Sequence, residues 1–175
     1  TPPEIASGYD VYFSKSAGAF NSPEYLARMI NLMRIGGFFL SHQCDLVCHN
    51  VVEEGKRKAI PTNFDLEALG LMEFSKARRY TIIQKTRNVP NVKQLLIPPY
   101  FEFAIRYAQG LLKEHETNPK NIFAERQDWR ESLKERILEI NNLYPSLDQG
   151  LQRQYAPTVS NVNERAKRVG ILNER

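Results

Sequence analysis

Long apolar runs are what this chain has least of. The longest, Ile35 to Leu40 (IGGFFL), stops at Ser41 and His42. A membrane-spanning helix needs roughly 20 apolar residues, so no transmembrane segment is expected. The opening TPPEIASGYD carries neither the basic nor the apolar region of a secretory signal. A chain that starts at Thr1 leaves open whether it is complete, processed or excised.

Cysteine is nearly absent as well. Cys44 and Cys48 are the only two, too few for a disulfide framework. On a helix their Cβ atoms would lie roughly 6 Å apart, wider than the ~3.8 Å a disulfide prefers. Reduced thiols in an intracellular setting follow from this reading. A secreted chain with one strained bridge is the alternative.

Nucleotide and hydrolase motifs are missing. There is no GxSxG, no P-loop and no glycine-rich phosphate cradle; glycines occur singly apart from Gly36-Gly37. A nucleophile needs a base and an orienting group within reach. Cys44 with His115, or Ser41 with His42, has nothing in the sequence to bring it together. The expectation is a protein that is not an enzyme and has no cofactor. The sequence also lacks repeats and low-complexity tracts.

What remains is an ordinary globular composition. The 175 residues (20.2 kDa) are 42% hydrophobic and 25% charged, enough for one domain that folds without a disulfide or a metal. The net charge is +4, and it is unevenly spread. Residues 1–55 hold three basic and six acidic side chains, residues 56–95 nine and three, and residues 96–175 twelve and eleven. The excess therefore lies between Lys56 and Lys93.

Helix signals punctuate the chain. Ser22-Pro23-Glu24 reads as an N-cap, a first-turn proline and an acid at the positive end of the dipole. That helix would run to about Ile35 and break at Gly36-Gly37. A second is expected from Phe38 to Glu54, ending at Gly55. KRKAIPTN reads as a linker, with Thr62/Asn63 capping a helix over Asp65 to Ser75. RYTIIQK (79–85) fits helix or strand. Pro98-Pro99 would open a helix to Glu116, with Tyr100, Ala104, Tyr107 and Leu111 on one stripe. Ile122 to Leu143 is the clearest helix, with Trp129, Leu133, Ile137, Ile140 and Tyr144 on a core-facing stripe. A short helix over Leu147 to Tyr155 would stop at Pro157, and Ser160 would cap a last one to Val169. The expected fold class is all-α: an irregular bundle of five to seven helices in a single domain, with room for one short strand pair near 79–97. Residues 1–20 would form an extended arm and 158–175 a tail helix.

SHQCDLVCHN places two His and two Cys within eight positions. At about 100° per residue, His42, Asp45, His49 and Glu53 share one helical stripe, while Leu40, Cys44, Val47, Cys48 and Val51 fall opposite. His and Cys could not converge on one ion. The weaker version is a divalent ion held by the 42/45/49/53 stripe. The plainer version is a solvated polar face over a buried apolar one.

The basic middle is the strongest functional signal. Lys56, Arg57, Lys58, Lys76, Arg78, Arg79, Lys85 and Arg87 could neutralise phosphates, with Phe74 and Tyr80 interleaved as stacking or core residues. On a helix over 75–87 Arg78 and Lys85 point one way and Lys76, Arg79 and Arg87 the other. On a strand Arg79, Thr81, Ile83 and Lys85 share a face. The leading expectation is a non-enzymatic, intracellular helical subunit that binds nucleic-acid backbone, RNA or DNA, in a nucleoprotein assembly without sequence readout. The second is a helical adaptor for protein partners, docking through 158–175. The third is a metal-dependent enzyme using the 42/45/49/53 stripe.

Overall fold

The structure, a computed structural model, describes residues 9–15, 22–42, 48–53, 56–61, 64–77, 80–117 and 127–172, with side chains for 10–11, 22–40, 64–75, 81–117 and 130–172. It overturns the all-α expectation. Among the described residues, four helices accompany a four-stranded mixed sheet.

The chain divides into two compact units, 1–49 with 61–100 and 50–60 with 101–175. The first is α/β. Strand β1 (Tyr9–Lys15) leads to helix α1 (Pro23–Leu32), which passes directly into β2 (Met33–His42). A hairpin of β5 (Leu71–Ala77) and β6 (Tyr80–Lys85) completes the sheet in the order β1-β2-β6-β5. β1 runs parallel to β2, and the other pairs are antiparallel. Part of the expected N-terminal arm is thus an edge strand; 1–8 and 16–20 lie outside the described residues.

The start of α1 follows the sequence signal. Ser22 accepts from the Tyr25 N–H at 3.2 Å, and Pro23 fills the first turn. The expected second helix does not form. Gly36 takes φ +84°, a left-handed conformation that suits glycine, and Phe38 to His42 pair with β6. The helix expected over Asp65 to Ser75 shrinks to one turn. Asp65 caps it by accepting from the Ala68 N–H, and Gly70 closes it at φ +69°. There Gly70 N donates to Glu67 O and Leu71 N to Leu66 O, a Schellman closure that ejects the chain into β5. A strand pair thus exists at 71–85, earlier than the expected 79–97.

One sheet face is covered. Phe39 pairs in register with Ile83, and both are buried with Leu71 and Thr81. Helix α1 contributes Leu26, Met29 and Ile30 to the same unit's core. Helix α2 (Val92–Thr117) contributes Val92, Leu96, Ile97 and Tyr100. Lys93 on α2 pairs with Glu24 on α1 at 2.6 Å, and that hydrogen bond holds Glu24 below the usual carboxylate range.

Helix α2 starts eight residues before the expected Tyr100 and runs through Pro98 and Pro99. Each proline removes the hydrogen bond its N–H would make, to Gln94 and Leu95, at a cost of about 3 kcal/mol. Burial of Leu96, Ile97, Tyr100 and Phe101 offsets this, at roughly 1.5–3 kcal/mol per large side chain.

The second unit contains most of β3 (Cys48–Glu53) and β4 (Lys56–Pro61), a separate two-stranded sheet. It also holds the rest of α2, α3 (Gln127–Leu143), a 3-10 turn (Tyr144–Ser146) and α4 (Gln149–Arg168). Of the expected core stripe, Leu133, Ile137 and Ile140 on α3 are fully buried and Tyr144, in the 3-10 turn, is half-buried; the Trp129 side chain and residues 122–126 lie outside those described. Asn141 and Asn163 exchange two amide hydrogen bonds between α3 and α4, at 3.0 and 2.9 Å. Helix α4 is one helix, capped by Asp148, with Pro157 inside it. The expected break at Pro157 and the separate tail helix are therefore corrected.

Candidate nucleic-acid interface

The sheet turns a second face outward. Register places Val11, Phe38, Gln84 and Met72 side by side across all four strands: Val11 pairs with Phe38, Phe38 with Gln84, and Gln84 with Met72. The next row holds Leu40, Ile82 and Ser75. Paired residues point to the same side of a sheet, so this face is predominantly apolar. Phe38, Leu40 and Ile82 are half-buried, while Val11 (58%) and Met72 (42%) are exposed.

Phe74 is the most telling residue on the edge strand. The register of β5 against β6 shifts between Glu73 and Ser75, so Phe74 is the extra residue of a bulge. A bulge re-aims the side chain it carries. The Phe74 ring meets Phe38 edge-to-face, with centroids 5.2 Å apart and planes at 72°. It remains 57% exposed. The charges described nearby are the exposed Asp10–Arg34 pair at 3.2 Å and the exposed Glu73. Gln84 donates to the Gly36 carbonyl at 3.1 Å.

The basic residues separate into three groups. Lys76 lies in β5 two positions after Phe74, opposite Thr81 in the register. Arg78 and Arg79 stand between β5 and β6 in the chain and lie outside the described residues. Lys56, Arg57 and Lys58 open β4, so the segment expected as a linker is half of a hairpin. Arg87 is exposed and donates to the Glu67 carbonyl at 2.9 Å.

Lys85 must be withdrawn from the phosphate-contact set. It is buried at 2% exposure, and its ammonium donates to the carbonyls of Ile30 and Met33, 2.7 Å each. Burial pushes its pKa down. The residue neighbours the last turn of α1, where carbonyls lack helical partners, and it acts there as an internal cap.

The 42/45/49/53 stripe loses its geometric basis, because no helix spans it. His42 ends β2, His49 and Glu53 belong to β3, and Asp45 lies outside the described residues. The helical spacing used for Cys44 and Cys48 fails for the same reason: Cys48 begins β3. Among the described residues no group of three or more His, Cys, Asp or Glu could hold a metal ion. Among them, too, no helix is long and apolar enough to cross a membrane.

Sequence reasoning missed Val11, Phe38 and Met72 as surface residues. FFL (38–40) and LMEF (71–74) show no apolar/polar alternation, so nothing in the sequence marked which of their side chains face outward. Comparison with protein-family models, with curated proteins and with solved structures returned no match.

Proposed function

We propose that this protein is a non-enzymatic, intracellular subunit that holds nucleic-acid backbone, without sequence readout, inside a larger nucleoprotein assembly. The supporting observation is Phe74, exposed on an edge strand and followed in the chain by Lys76, Arg78 and Arg79. Exposed aromatics and cations together are what nucleic-acid grooves and platforms use. Arg87 is a further exposed cation of the same unit, and Lys56, Arg57 and Lys58 open β4 in the second unit as a separate cationic segment.

A protein-adaptor role through 158–175 has less support. Val159, Val162, Ala166 and Ile171 are buried, so that segment spends its apolar face inside its own chain.

The test is filter binding of the full chain to single- and double-stranded RNA and DNA across a salt series. Each lost phosphate contact should flatten the log–log salt slope by about 0.7–0.9. Reversing the charges at 56–58 and 78–79 should weaken binding and flatten the slope. No affinity for any of the four at low salt overturns the reading.

A further inference from the structure

We draw no further inference here: the strongest candidate, the outward apolar face of the β1-β2-β6-β5 sheet formed by Val11, Phe38, Met72 and Phe74, carries none, because nothing in the structure shows what covers it.

Discussion

Lys85 on β6 is fastened to Met33, the residue at which α1 becomes β2: its Nζ donates to the Met33 carbonyl at 2.7 Å and to that of Ile30 at the same distance. One buried cation thereby satisfies two carbonyls at the negative end of a helix and ties α1 to the sheet it covers. Lys85→Met keeps the length and the packing but removes the donor. Each orphaned carbonyl should cost about 1–3 kcal/mol. Urea denaturation should show a lower midpoint with little change in slope. A midpoint equal to that of wild type would show that the carbonyls find other donors.

The same residue predicts a pH signature. Burial lowers the Lys85 pKa from its ordinary 10.5. Between the lowered folded value and 10.5 the unfolded chain holds more protons than the folded one, so stability rises with pH across that window and levels off above it. Tyr155 acts oppositely. Its pKa is raised by burial and then by Glu102, so its contribution is lost as pH climbs past the ordinary tyrosine value of 10.0. The difference between wild type and K85M isolates the lysine. Urea midpoints from neutral pH to pH 11 should diverge in favour of wild type as pH rises. Parallel curves would contradict the assignment.

Two glycines with similar dihedrals should respond differently to alanine. Gly70 has φ +69°, and a Cβ there would lie 2.5 Å from the Arg87 carbonyl oxygen and 2.9 Å from Val89 Cγ2. The Gly70 carbonyl also accepts from Thr86 N and Thr86 Oγ1, so the turn cannot drift away from the strand. Gly36 has φ +84° with nothing within 4 Å of such a Cβ. Gly36→Ala should cost only the left-handed strain, about 1 kcal/mol. Gly70→Ala adds a clash with backbone and should lose about 2 kcal/mol or more. Thermal denaturation of the pair checks the ranking; equal losses would mean that the Arg87 carbonyl yields freely.

Residues with strong local signals were legible. Ser22-Pro23 capped a helix as read, and the α3 stripe of Leu133, Ile137 and Ile140 is the buried core it resembled. The errors share a cause. Over 38–54 and 65–75, spacings of three and four between apolar residues satisfied a helical template, yet such runs also satisfy a period of two, and periodicity alone does not arbitrate. What decided them was non-local: Phe39 and Leu71 pair with residues about 44 and 14 positions away in the chain. Pro98, Pro99 and Pro157 misled in the opposite direction, because tertiary burial outweighs their penalty. Within the candidate interface, the cations could be counted from the sequence, but the exposure of Phe74 depends on a bulge, and the burial of Lys85 depends on a helix end 52 residues earlier.

The C-terminal helix supplies the remaining prediction, which bears on the expectation of a docking tail. A docking tail should be removable without unfolding the domain. Val162 and Ala166 are fully buried, Val159 and Ile171 nearly so, and Arg165 grips Glu116 on α2 with two hydrogen bonds of 2.9 and 2.8 Å. Gly170, at φ +70°, closes α4 with the Schellman bonds Gly170 N to Lys167 O and Ile171 N to Ala166 O, and Arg130 donates to the Gly170 carbonyl. Removing 158–175 therefore strips apolar surface from the second unit and leaves Asn141 without Asn163. Val162→Asp makes the same point with one residue, since an unpaired carboxylate in that position costs several kcal/mol. Both variants should lose cooperative unfolding of the second unit and gain amide exchange along α3. An exposed change on the same helix, Glu164→Gln, should leave stability within about 0.5 kcal/mol of wild type. A truncated chain that keeps native exchange protection in α3 would restore the tail as a free docking element.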